Sequence, residues 1–190
     1  TGIRQRHVCD FARGETTYTI AAAALRNACA DAKIDPATLD LVLVATMSME
    51  STCPPTACRV AAALGTRNAG AFDVSAACCG FVFGLNTAYG LMRTGQYRRV
   101  GLVGADTLSR FMDYSNAGRS TAILFGDGAG AAILTATDDP SQGVIAQAMH
   151  SDGHRFDDLY VPEDERGFPE GVEPDPAMIH RVQMNGQGVF

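Results

Sequence analysis

The sequence predicts an α/β layered fold, in which helices cover a largely buried sheet. Two observations carry this expectation. Short apolar runs bounded by polar residues recur along the chain, and breaker-poor helical stretches separate them. The balance of the 190 residues agrees: 46% are hydrophobic and 19% charged, with 20 glycines and no tryptophan. That composition suits strands buried on both faces better than a solvated helical array.

The elements follow in chain order. Thr16 to Ala32 is alanine-rich and almost free of breakers, which predicts a helix. Asp35-Pro36 marks a turn or a short helical start. The run Leu41-Val42-Leu43-Val44, within Leu39 to Thr46, predicts a strand buried on both faces. Pro54-Pro55 precedes a helix through Leu64, stopped by Gly65. Ala71 to Ser75 is strand-like, Phe81 to Met92 helical and closed by Gly95, and Arg99 to Ala105 again an apolar strand. Ala122 to Phe125 and Ala131 to Thr135 predict two strands around a glycine turn, with a further strand at Val144 to Met149. After Ser151 the chain turns polar and proline-rich, as an excursion over the surface would. The end at Phe190 falls inside what reads as the start of a helix, so the chain looks like a piece of something larger.

Several function classes are disfavoured. No apolar run reaches the roughly 18–20 residues of a membrane span, and no basic segment precedes an apolar one, so a soluble intracellular protein is expected. The net charge of −6 argues against general nucleic-acid binding. Six cysteines in a chain this long do not resemble a secreted disulfide framework, and Cys29 and Cys58, set among alanines, read as small core residues. Cys53 and Cys58 stand five apart and Cys78 and Cys79 are adjacent, which is not zinc spacing. The run Gly126-Asp127-Gly128-Ala129-Gly130 leads into a strand rather than a helix. It therefore reads as a tight turn and not as a phosphate cradle, and no nucleotide cofactor is expected.

The informative stretch is Ala71-Phe72-Asp73-Val74-Ser75-Ala76-Ala77-Cys78-Cys79-Gly80-Phe81. A strand runs into small residues, two cysteines and a glycine, and then a helix. A cysteine at such a junction lies near free backbone N–H groups and the positive end of the helix dipole, which favour a thiolate. The same amides can face an oxyanion on an attacked thioester. Position alone also allows both cysteines to be core fillers. A hydrolase elbow is absent, because no Gly-x-Ser-x-Gly occurs here.

This segment resembles the active-site strand and helix of the β-ketoacyl-[acyl-carrier-protein] synthase III family of thiolase-like condensing enzymes. The opening Thr1-Gly2-Ile3-Arg4-Gln5-Arg6-His7 and the run Phe125 to Ala131 are similar to two further motifs of that family. The resemblance implies a thiolase-like layered fold with a mixed sheet between helices, residues 1–190 being its nucleophile-bearing N-terminal half. It implies Cys78 as the acyl-accepting nucleophile and puts Cys79 where the family commonly has alanine. Arg119 matches an arginine that contacts the coenzyme A nucleotide, although the preceding segment Asp113 to Gly118 is longer than the family's loop. Leu108, Phe125 and Val182 match acyl-pocket positions. Cys53 matches a residue, often aromatic, that enters the partner subunit's acyl pocket. His7, His150, His154 and His180 match no catalytic histidine; the family's catalytic histidine and asparagine lie in the second half.

What the resemblance implies for function is a two-step reaction without a cofactor or metal. Cys78 takes the acyl group of acyl-CoA, then condenses it with malonyl-acyl-carrier protein to initiate fatty-acid synthesis in the cytoplasm, as a homodimer. Three alternatives stand beside it: a related thiolase-fold enzyme of specialised metabolism, a half that only binds or dimerises, and a disulfide or zinc module.

Overall fold

The structure is a computed structural model that describes residues 2–189; Thr1 of the opening motif and Phe190 lie outside the described residues. The chain divides into two compact units. Of the described residues, 9–107 and 128–149 make up one, and 2–8, 108–127 and 150–189 the other.

The first unit is built on β1 (Leu41–Ala45), β2 (Gly70–Val74), β3 (Arg99–Thr107) and β4 (Asp127–Thr135), with α1 (Thr17–Ala32), α2 (Thr56–Leu64) and α3 (Gly80–Met92). The order across the sheet is β2-β1-β3-β4. β1 pairs in parallel with β2, Leu41 opposite Gly70, and with β3, Leu41 opposite Val100. The N–H of Ala136, just past β4, donates to the carbonyl of Arg98, just before β3, so these two strands run antiparallel and the sheet is mixed.

Every residue of β1 is buried, as a strand covered on both faces must be. Because side chains alternate across a strand, Val42 and Val44 join one core with Leu25, Cys29, Val60 and Val103 under α1 and α2. Leu41 and Leu43 join the other, with Ala88, Val100 and Leu102 under α3. Helix α1 starts in a reciprocal cap between Thr16 and Thr19, which satisfies two otherwise unpaired amides. Gly65 ends α2 at φ 76°, a conformation glycine adopts without cost.

Glycines also set the layer spacing. A methyl on Gly101 would stand 2.8 Å from Leu25 Cδ1 and 3.2 Å from Leu39 Cδ1. Both leucines are buried, and close packing in a protein interior leaves such side chains little room to yield. Gly101→Ala should therefore destabilise the unit by about 1–3 kcal/mol, the usual cost of overpacking. Urea unfolding checks this through a lower midpoint at unchanged slope.

The second unit carries short elements: α4 (Arg119–Ala122), β5 (Leu159–Tyr160), β6 (Gln183–Met184) and α5 (Gly186–Val189). β5 and β6 form a two-stranded antiparallel ladder.

Four expectations need correction. Residues 122–125 are not a strand, because α4 occupies Arg119–Ala122 and β4 begins only at Asp127. The glycine-rich run is consequently not a turn: Gly128 and Gly130 lie inside β4, where a side chain would meet no neighbour. Residues 144–149 form no strand, and Ile145 is fully exposed there. Cys58 is exposed rather than a core residue, whereas Cys29 is buried as expected.

Burial distinguishes the thiols chemically. Burial, and secondarily the charge of Asp35, push the Cys29 thiol up. A raised thiol has little thiolate and reacts slowly. Iodoacetamide at neutral pH should therefore alkylate Cys53, Cys58, Cys78 and Cys79 while sparing Cys29, as peptide mass spectrometry would record. Early labelling of Cys29 would contradict this packing.

Candidate active site

In parallel sheets the carboxyl ends of the strands are where sites form, particularly where the strand order reverses. Here β2 and β3 flank β1 on opposite sides, so the connections leaving β1 and β2 diverge to the two faces of the sheet. Cys78 follows the carboxyl end of β2. The strand stops at Val74, residues Ala77–Cys79 make a single 3₁₀ turn, and α3 begins at Gly80. Both Cys78 and Cys79 are exposed.

Two local features shape this turn. Ala77 has φ 43°, a left-handed conformation that costs a non-glycine residue on the order of 1–3 kcal/mol. Such strain is tolerated where surrounding contacts hold it, and it turns the chain sharply just before Cys78. The turn closes with the N–H of Cys79 donating to the Ala76 carbonyl at 3.0 Å. Gly80 then lets α3 start against the end of β1, since a methyl there would stand 3.0 Å from the Ala45 Cβ.

Cys53 is exposed and precedes α2, joined to Pro54 by a cis peptide bond. The start of α2 is capped from a distance: both carboxylate oxygens of Asp73 accept, from the N–H groups of Thr56 and Ala57, at 2.7 Å each. Asp73 lies on β2, five residues before Cys78, and so ties the Cys53 segment to the strand that leads into Cys78. A second carboxylate anchors the chain leaving β1. Asp106 Oδ1 accepts from the Met47 N–H, the Thr46 hydroxyl and the Ser48 hydroxyl. Ser48 in turn accepts from the Thr107 N–H, and the Thr17 hydroxyl donates to the Ser48 carbonyl. Sequence reasoning passed over both aspartates. Their signal was an acidic residue inside an otherwise apolar strand, which a sheet retains only with partners.

The other unit gathers the remaining candidates. Leu108, Phe125 and Val182 are all half-buried. The Val182 N–H donates to the Phe111 carbonyl, and the Arg181 guanidinium donates to the carbonyls of Arg110 and Met112. Two residues past Phe125, the Asp127 carboxylate accepts from the N–H and hydroxyl of Ser109. Backbone 108–112 thus holds all three positions in one neighbourhood.

Arg119 lies on an open cavity of about 340 Å³ lined also by Ile3, Arg4, Arg6, Tyr114 and Ile123. The Arg6 guanidinium donates to the Leu124 carbonyl at 2.9 Å. Arg4 was not singled out from the sequence; its motif position placed it near the front of the chain with no hint of the segment it would face. Among the histidines, His154 donates its backbone N–H to Asp152 Oδ1, which makes Asp152-Gly153-His154 a side-chain-closed turn rather than an acid/base pair. Among the described residues no group of His, Cys, Asp and Glu is arranged to hold a metal ion. No described helix is long and apolar enough to cross a membrane.

Comparison with known proteins agrees with this architecture. Residues 72–153, which include Cys78, match the family described as 3-oxoacyl-[acyl-carrier-protein (ACP)] synthase III. Over its whole length the chain is 47% identical to a β-ketoacyl-[acyl-carrier-protein] synthase III of Rhodobacter capsulatus and spans 56% of it. The crystal structure of 3-oxoacyl-(acyl carrier protein) synthase III from Pseudomonas aeruginosa superposes with a TM-score of 0.83 at 40% identity. All of this chain and 54% of that one are covered. A priming β-ketosynthase from a polyketide biosynthetic pathway superposes equally well, TM-score 0.83 at 36% identity, again over the whole of this chain. The chain spans about half the length of the curated relatives it matches. In sequence and in its thiolase-like α/β fold, the chain matches an N-terminal part of the 3-oxoacyl-[acyl-carrier-protein] synthase III family.

Proposed function

We propose that the protein carrying this chain is a β-ketoacyl-[acyl-carrier-protein] synthase III, an acyltransferase in which residues 1–190 form the nucleophile-bearing domain. The observation that carries this is the setting of Cys78: an exposed thiol on a sharp turn between β2 and α3, inside the segment matching the family. Cys78 Sγ attacks the thioester carbonyl of acyl-CoA, with an acetyl group as the expected starter, and coenzyme A leaves as its thiol. Malonyl-acyl-carrier protein then loses carbon dioxide, and the resulting carbanion attacks the acyl-cysteine. The 3-oxoacyl-carrier protein departs and the Cys78 thiol is restored. No resident cofactor enters these steps, which are covalent catalysis by thioester exchange.

In this proposal Leu108, Phe125 and Val182 line the acyl channel, and Arg119 holds the nucleotide end of coenzyme A beside Arg4. The cationic cavity of the second unit supports that role. The protein acts in the cytoplasm as a homodimer. The outer position of β2, with Phe72 exposed on it, supports pairing there, and Cys53 would then reach the partner's acyl pocket. Incubating the full-length protein with labelled acetyl-CoA and malonyl-acyl-carrier protein tests this: a labelled 3-oxoacyl product is expected, and its absence overturns it. The similarity to a priming β-ketosynthase supports a second reading, a starter-loading enzyme of specialised metabolism. A panel of acyl-CoAs separates the two, because that reading expects a longer or branched acyl group to be preferred over acetyl.

Arg119→Ala should raise the KM for acyl-CoA with little change in the carrier-protein step, since the nucleotide end takes no part in bond making. Losing one charge-assisted contact costs on the order of 1.5–3 kcal/mol, or roughly tenfold to a hundredfold in KM. An unchanged KM counts against the role.

A further inference from the structure

The loop carrying Tyr114, Ser115 and Asn116 forms one wall of the arginine-lined cavity. We propose that Tyr114 on this loop is a specificity-determining residue that stacks against the purine of a nucleotide-bearing thioester, so that the site prefers coenzyme A donors to donors without a nucleotide. The inference rests on the acyl-CoA reading given above and adds to it the residue that reads the base.

Three observations converge on Tyr114. The cavity combines cationic side chains, Arg4, Arg6 and Arg119, with apolar walls at Ile3 and Ile123 and with one aromatic ring. That mixture matches a phosphorylated nucleoside: guanidinium groups for phosphate, an aromatic face for the base. Among the described residues the Arg4 and Arg119 guanidinium groups have no ion pair, so their charge is available to a ligand. The Tyr114 side chain is likewise uncommitted, with 66% of the residue exposed at the cavity.

The loop is also held in shape, which stacking requires if it is to select rather than merely stick. The Asp113 carboxylate accepts from the Ser115 N–H and from the Ser115 hydroxyl, both at 2.8 Å, closing a turn around Tyr114. Those bonds, the backbone one first, hold the Asp113 carboxyl below the usual carboxylate range. At the far end Gly118 packs onto Asp113 so closely that a methyl there would overlap the Asp113 carbonyl oxygen. The two ends of the loop are therefore clasped, and Tyr114 stands on a fixed arch opposite residues 3–6.

The test uses the full-length protein and one acyl group presented on two carriers, coenzyme A and pantetheine, which lacks the nucleotide. Tyr114→Ala should lower the preference for the coenzyme A donor, read as the ratio of kcat/KM values, by on the order of tenfold, the worth of one base–aromatic stack. Activity with acyl-pantetheine should not change. Tyr114→Phe should keep the preference, because the ring and not the hydroxyl makes the contact. Adenosine 3′,5′-bisphosphate should bind the wild type more tightly than Tyr114→Ala in calorimetry, while inorganic pyrophosphate, which offers only charge, binds both equally. An unchanged preference in Tyr114→Ala, or equal losses in the Phe and Ala variants, overturns the assignment of Tyr114 alone. Failure of wild-type Cys78 to be acylated by either donor overturns the acyl-CoA reading itself.

Discussion

Cys78→Ala and Cys78→Ser are expected to abolish acyl transfer from acyl-CoA, whereas Cys79→Ala keeps most of it. Removing a covalent nucleophile costs on the order of a thousandfold or more, because no other group can form the intermediate. Serine does not rescue, since its hydroxyl is far less acidic than a thiol and a weaker nucleophile towards a thioester. The two cysteines share a turn and are both exposed, so exposure does not choose between them. Their backbone roles differ. Cys79 is the residue that caps α3 and closes the turn through its N–H, while Cys78 follows directly on the left-handed Ala77. The resemblance to the family motif implies Cys78 as the nucleophile, with Cys79 at a position commonly occupied by alanine. Labelled acyl-CoA followed by peptide mapping reads the outcome. Label on Cys79, with Cys78→Ala still active, would refute the assignment.

What could be seen in the sequence followed from how local each signal is. The helix at Thr17–Ala32 and the strand at Leu41–Ala45 declare themselves by composition and by an unbroken apolar run, and both stand within a residue or two of expectation. The turn carrying Cys78 was visible because small residues, cysteines and glycine cluster at a strand-to-helix junction. The run from Ala122 to Phe125 misled, because a four-residue apolar stretch has no period of its own and here it is the end of a short helix and its exit. The glycines after it misled for a related reason. Glycine signals a turn from sequence, yet Gly128 and Gly130 sit in an extended strand with open space where a side chain would be. Asp73 and Asp106 were invisible as anchors because their partners, Thr56, Ala57 and the Thr46 to Ser48 segment, come from other elements. Only pairing of the strands brings them within reach. The arginine cavity was half visible: Arg119 was named, but Arg4 and Tyr114 gain meaning only when residues 3–6 and 114–119 meet.

Residues 1–190 produced as a separate polypeptide are expected to self-associate and to carry out no decarboxylative condensation. Helix α3 supplies the physical reason. Its buried positions are Gly80, Gly84 and Ala88, a stripe of the smallest residues at four-residue spacing that lets the helix lie close against the sheet. A methyl on Gly84 would stand only 2.7 Å from Leu102 Cδ1, which shows how tight that contact is. The large apolar side chains of the helix lie outside the stripe, and Phe81 and Val82 remain 37% and 53% exposed. A helix that is apolar all round belongs between two layers, and uncovered apolar surface beside an outer strand drives association. The relatives have nearly twice this length, and under the proposed function the groups that promote loss of carbon dioxide come from that additional part. Slow acylation of Cys78 should persist, because the turn that exposes its thiol lies wholly within the chain. Sedimentation of the purified polypeptide, and product formation from malonyl-acyl-carrier protein, measure the two halves of the expectation. A monodisperse polypeptide that condenses at the rate of a full-length enzyme would overturn it, and would require one of His7, His150, His154 or His180 to act in catalysis.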